Sequence, residues 1–204
     1  TYTPTATEIA NGSVTLTLTT TGNNNCTAVS DNMVLTFTPA PTANAGADAT
    51  RCANNASVAL GGSVTLATGG AWSGGAGTFA PNNTALNATY TSTAAEIAAG
   101  TLTLTLTTTG NGSCNAATDT KVINFTPAPV VDAGSNGTVC ANNAAITLAG
   151  TVTGSTGGAW SGGTGTYNPN ATTLNAVYTP SAAERAAGTV TLTLTSTGNG
   201  LCNA

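Results

Sequence analysis

Seven carboxylates, five cysteines and two tryptophans are the side chains of this 204-residue chain best suited to chemistry; histidine and glutamine are absent. Without histidine the chain cannot assemble a Ser–His–Asp or Cys–His nucleophile, or an imidazole metal site. The acids are Glu8, Asp31, Asp48, Glu96, Asp119, Asp132 and Glu184. Thr93-Ala94-Ala95-Glu96 and Ser181-Ala182-Ala183-Glu184 have the spacing of a helix capping box. Thr93, Glu96, Ser181 and Glu184 are therefore expected to close helix starts, a role preferred over acid–base work. Trp72 and Trp160 each lie in "GGAWSGG". The favoured role is a core aromatic of a sandwich strand. The alternative is a ligand contact, an indole stacked on a sugar ring, since the flanking glycines leave its faces uncovered.

These residues recur with one period. Tyr2, Tyr90 and Tyr178 are spaced by 88, as are Cys26, Cys114 and Cys202; Cys52 and Cys140 keep the interval, and so do Trp72 and Trp160. Segments 89–116 and 177–204 match at 21 of 28 positions without a gap. A unit this long is a whole domain, because solenoid repeats run only ~20–50 residues. "FTPAP", at Phe37–Pro41 and Phe125–Pro129, marks the joints, where alternate prolines oppose strand pairing and stiffen the chain. The expected division is 1–39 as the C-terminal part of a repeat domain, 40–127 as a complete one, and 128–204 as one lacking its last strand. The chain starts in mid-pattern without a signal-peptide or anchor pattern, which suggests a piece of something longer. Asp132 aligns with Asn44, and Asp48 with Asn136, so those carboxylates are not kept between repeats. A calcium site takes about six to eight oxygens and usually several carboxylates. No cofactor is expected, with Ca2+ at domain junctions as the weaker alternative.

The elements that must position these groups are short. From residue 40, alternating or β-branched runs are separated by Gly and Asn clusters. This predicts an all-β fold of tandem immunoglobulin-like antiparallel β-sandwiches, with about seven strands per domain. "TANAGADATRC" reads as a first strand broken at Gly46, "SVALGGSVTL" as the second and "GAWSGG" as the third. "GTFAPNN" and "LNATYTS" supply one or two more, and "TSTAAEIAAG" a short helical turn between strands five and six. "TLTLTLTTTG" and "TKVINFTP" form a closing hairpin around Gly110-Asn111-Gly112. Period 2 puts Leu102, Leu104 and Leu106 in the core and Thr101, Thr103, Thr105 and Thr107 on the opposite face. Solvation accounts for that threonine face better than a match to an ordered-water lattice, because a twisted sandwich sheet is a poor flat template.

Two cysteines per repeat, with no metal-binding companions, predict disulfides and an oxidising, extracellular setting. Cys52–Cys114 and Cys140–Cys202 would each close a 62-residue interval within one domain. Loop entropy gives that roughly 4 kcal/mol but does not discriminate among pairings. Topology argues otherwise. Cys52 ends the first strand and Cys114 sits in the last hairpin turn, at opposite ends of the domain. A strand of about nine residues separates them by ~30 Å, beyond the ~7 Å reach of a disulfide. In an end-to-end stack Cys52 faces the turn of the next domain, which favours Cys52–Cys202 and leaves Cys26, Cys114 and Cys140 unpaired.

Composition narrows the function classes. Only three residues are basic and the net charge is −4, so nucleic acid is excluded as a partner. No apolar run approaches the ~18 residues of a membrane span, so no membrane insertion is expected.

The strings "ANAGADATRCANN", "GGAWSGGAGTF" and "NATYTSTAAEIAAGTLTLTLTTTGNGSC" resemble the tandem repeats of the SprB-type gliding-motility surface adhesins of Bacteroidetes. More loosely they are similar to PKD-like repeats of that group's secreted proteins. The resemblance implies type IX secretion, an outer-membrane-anchored location at the cell surface, and a non-catalytic stalk. Its implied partners are neighbouring repeats, surface polysaccharide or substratum, and motility or secretion machinery acting through other regions. The alternatives are a carbohydrate-binding module using Trp72 and Trp160, and an accessory repeat of a secreted enzyme.

Overall fold

The computed structural model describes residues 1–204. The chain opens with α1 (Ala6–Ala10), β1 (Ser13–Thr19) and β2 (Ser30–Thr36). Then follow β3 (Thr42–Asn44), β4 (Ala49–Cys52), β5 (Val58–Ala59), β6 (Ser63–Thr65), β7 (Gly69–Ser73), β8 (Thr78–Ala80) and β9 (Thr89–Thr91). This stretch closes with α2 (Ala94–Ala99), β10 (Thr101–Thr109) and β11 (Thr118–Thr126). The pattern resumes with β12 (Val130–Asp132), β13 (Ile146–Thr147), β14 (Thr151–Thr153), β15 (Gly157–Ser161), β16 (Thr166–Asn168) and β17 (Val177–Thr179). It ends with α3 (Ala182–Ala187) and β18 (Thr193–Thr197).

Strands β3 to β11 fold as an immunoglobulin-like sandwich. One sheet has the order β4-β11-β10-β7; the other face joins β3 to β6, and β5 to β9 and β8. Two expected strands are each divided. At Gly46 (φ +75°) the chain leaves the β3–β6 pair and crosses to the opposite sheet as β4. The second strand divides at Gly61-Gly62, so β5 pairs with β9 and β6 with β3. With these halves joined, seven strands remain and α2 lies between the fifth and sixth. One pair departs from the antiparallel expectation: β4 runs parallel to β11, Ala49 opposite Ile123 and Cys52 opposite Thr126. A strand that has switched sheets without reversing direction can meet the last strand only in that sense.

The alternation in β10 decides what is inside. Leu104 and Leu106 are fully buried, Leu102 is half-buried, and Thr101 and Thr103 face solvent. They pack with Ala45, Val58, Leu60, Trp72, Ala88, Tyr90 and Ile123 in one core. Each such leucine contributes roughly 1.5–3 kcal/mol by burial. The same period puts Thr108 inward, where its hydroxyl accepts from the Ala117 N–H at 2.9 Å. Strands β12 to β18 repeat this plan, with β12–β14, β13–β17–β16 and β15–β18.

Candidate functional site at the junction of the repeats

Cys52 closes β4 and is wholly buried, held by its carbonyl accepting the Asn55 N–H and by the Ala53 N–H donating to Thr126 O, both at 2.9 Å. Cys202 sits in the turn after β18, where its N–H donates to Asn199 O at 3.0 Å. The two cysteines form a disulfide across 150 residues, with Cα atoms 4.9 Å apart. That separation lies within the ordinary range for the bond. Both sulfurs lie against the linker, 3.8 Å (Cys52) and 3.7 Å (Cys202) from the Pro127 carbonyl oxygen.

Asparagines clasp the same joint. The Asn54 Nδ2 donates to Asn203 O at 3.0 Å, while the Asn203 N–H and Nδ2 donate to Asn54 Oδ1 and O, each at 3.1 Å. Asn55 Nδ2 donates to Leu201 O at 3.3 Å. Reading the sequence missed these residues. The available signal was an asparagine at the same offset from each cysteine in both repeats: Asn54 and Asn142, Asn115 and Asn203.

Cys26, Cys114 and Cys140 are free thiols, so neither Cys52–Cys114 nor Cys140–Cys202 forms. Cys114 occupies the place at the first linker that Cys202 occupies at the second, its sulfur 3.8 and 3.7 Å from the Thr38 and Pro39 carbonyl oxygens.

The ligand-contact alternative for the tryptophans needs correction. Trp72 is 0% and Trp160 5% exposed, and their Nε1–H groups donate to Leu86 O and Leu174 O at 3.2 and 3.0 Å. Neither indole offers a face to a sugar. The framing glycines serve packing: Gly75 adopts φ +74°, and an added Cβ there would collide with the Tyr90 hydroxyl.

That hydroxyl belongs to a small polar cluster. Thr93 and Glu96 form a complete capping box on α2, Ser181 and Glu184 on α3, and Thr5 and Glu8 on α1. Glu96 also accepts from the Tyr90 hydroxyl at 2.7 Å and the Ala76 N–H at 2.6 Å. Burial pushes the Glu96 pKa up. The bonds donated by the Thr93 N–H, the Tyr90 hydroxyl, the Ala76 N–H and the Thr93 hydroxyl outweigh it, holding the value at about 2. Burial, reinforced by Glu96, pushes Tyr90 up to about 12. Because the folded carboxyl ionises below its ordinary 4.5, its stabilising effect is full above that pH and is lost as pH falls toward 2. Acid titration followed by circular dichroism should show that loss, and Glu96→Gln should remove the steepest part of it.

The other carboxylates are dispersed. Asp119 and Asp48 accept from the Ala45 and Val122 N–H groups and Asp132 from Gly134, each at 2.8 Å. No three His, Cys, Asp or Glu side chains converge as metal ligands would, and no helix is long and apolar enough to cross a membrane.

No family model and no curated protein matches the chain. Among solved structures it is similar to extracellular cadherin domains 1–4 of protocadherin gamma B7, at 12% identity and a TM-score of 0.41, over 94% of this chain and 55% of that one. It is also similar to domains 3–6 of protocadherin gamma B2, at 12% identity and TM-score 0.37, over 86% of this chain and 52% of that one. A third is the cis-dimer structure of protocadherin gammaB7 domains EC3–6, at 14% identity and TM-score 0.37, over 86% and 53%. The chain spans about half the length of each.

Proposed function

We propose that this chain is a segment of a non-catalytic extracellular stalk in a cell-surface adhesin, divided into domains at 39/40 and 127/128. The observation that carries this reading is the junction. A disulfide and four asparagine hydrogen bonds join residues 52–55 to 201–203 across the Pro127 linker. A covalent brace beside a short proline linker removes the freedom of one domain to swing on the next. Such stiffness suits a protein that holds a binding region away from a surface. The resemblance of the repeats to SprB-type adhesins supports the finer reading. In it the stalk is exported by type IX secretion, anchored at the outer membrane, and carried along by motility machinery as it grips polysaccharide or substratum. The buried tryptophans leave the carbohydrate-module alternative without its contact residues.

Electron microscopy of single molecules gives the test. Oxidised chains should show a narrow distribution of angles between the two sandwiches, and dithiothreitol should broaden it. Equal breadth in both states would remove the case for a stiff stalk.

A further inference from the structure

Chain statistics do not favour the bond that forms. Cys52–Cys114 and Cys140–Cys202 close intervals of 62 residues, whereas Cys52–Cys202 closes one of 150. In a flexible chain the longer closure is roughly fourfold rarer, because its entropy cost grows with the logarithm of length. Folding removes the shorter pair around Cys52 by placing Cys114 at the opposite end of the same sandwich. It does not by itself bring Cys52 to Cys202, which belongs to another sandwich. A contact that seats residues 201–203 on 52–55 while both sulfurs are still thiols would raise the odds of this pair.

The residues beside the sulfurs supply such a contact. Each cysteine is first set by bonds within its own sandwich. The Ala53 N–H donates to Thr126 O at 2.9 Å, the Cys202 N–H to Asn199 O at 3.0 Å, and Asn199 Nδ2 to Ser196 O at 3.4 Å. None of these bonds involves a sulfur. Across the joint, the Asn54 carboxamide engages both polar groups of the Asn203 backbone. Its Nδ2 donates to Asn203 O at 3.0 Å, and its Oδ1 accepts the Asn203 N–H at 3.1 Å. A carboxamide both donates and accepts, so it can match a backbone N–H and C=O together; a carboxylate cannot.

We propose that Asn54 is a positioning residue for oxidation of the joint: its carboxamide docks the turn holding Cys202 before the disulfide forms, and so selects the partner of Cys52. Asn54, Asn55 and Asn203 are exposed, and surface hydrogen bonds of this kind are weak. The docked state is therefore a transient one that guides encounter, and the disulfide makes it permanent. One cysteine thiolate attacks a disulfide oxidant such as oxidised glutathione, releasing one reduced glutathione. The second thiolate attacks the mixed disulfide and releases another, so two electrons and two protons pass from the cysteine pair to the oxidant. This role rests on the geometry of the joint and is independent of whether the chain serves as a stalk.

Redox equilibration in glutathione buffers measures the effective concentration of Cys52 for Cys202, in the full chain carrying Cys26→Ser, Cys114→Ser and Cys140→Ser. Asn54→Ala should lower it about fivefold, the worth of two exposed hydrogen bonds. Asn54→Asp, which keeps the acceptor and loses the donor, should fall between. Asn203→Ala keeps the backbone that Asn54 reads and should lower it only about twofold. Tryptophan fluorescence and Tm of the reduced variants should match the parent, which separates docking from folding. With all five cysteines present, oxidation in guanidinium should favour the 62-residue pairs, and oxidation in buffer should return Cys52–Cys202 on peptide mapping. An effective concentration unchanged by Asn54→Ala overturns the proposal, because the clasp is then a consequence of the bond. Predominant Cys52–Cys202 pairing in guanidinium also overturns it.

Discussion

Stretched between handles at residues 1 and 204, the oxidised chain should reach a contour length ~500 Å shorter than the reduced chain. The bond joins residues 150 apart in sequence, so tension entering along β4 passes from Cys52 straight to Cys202. Everything from 53 to 201 hangs outside the loaded path. Of the first sandwich only β3 and β4 lie in the loaded path, and residues 53–201 can be extended only after the disulfide is reduced. Force–extension curves with and without dithiothreitol measure the difference directly. Equal contour lengths would mean that the joint is not bridged as described. Non-reducing peptide mapping provides the chemical check. A Cys52–Cys202 crosslink is expected, whereas Cys52–Cys114 with Cys140–Cys202 would place both bonds inside single sandwiches and return residues 115–139 to the load.

Trp72→Ala should destabilise the 40–127 sandwich by about 3–5 kcal/mol. For a unit of this size that corresponds to a fall of roughly 15–30 °C in Tm. The indole is fully buried against Leu106 and Gly62 and satisfies the Leu86 carbonyl, so truncation leaves both a cavity and an unpaired acceptor. Trp160→Ala should cost less. The indole itself is nearly as buried, but it lines a cavity of about 430 Å³, where surrounding side chains can relax into the space. Calorimetry of the two variants should resolve the asymmetry. Equal losses would show that the cavity has no bearing on packing around Trp160.

Much of this architecture was legible because it rests on local chemistry. The Thr-Leu alternation of β10 reports its own buried face, and Thr93 with Glu96 reports a helix start, because each needs only neighbours within one strand or one turn. The disulfide was legible for another reason: strand length sets how far apart Cys52 and Cys114 must lie, whatever the details of packing. Sheet switching was only half legible. Gly46 and Gly61-Gly62 mark breaks in the sequence, but which sheet each half joins depends on β9, β11 and β6, contributed from distant segments. The parallel β4–β11 pair follows from that switch and has no local signature. Glycines around Trp72 were ambiguous because small residues open space equally well for a ligand or for a neighbouring side chain. At Gly75 the neighbour is the Tyr90 hydroxyl, which belongs to a strand more than a dozen residues away. The asparagine clasp was overlooked because Asn is abundant throughout the chain, and only its fixed offset from cysteine distinguishes Asn54 and Asn203.

The bridge also changes what a broken backbone means. A single cut anywhere between residues 53 and 201 leaves one fragment ending in Cys52's half of the molecule and another retaining Cys202, still joined through sulfur. Trypsin recognises Arg51, Lys121 and Arg185, and only the first lies outside that span. Nicking at Lys121 or Arg185 should therefore produce two bands on a reducing gel and one on a non-reducing gel. Damage over most of the chain's length becomes an internal scar that does not sever it.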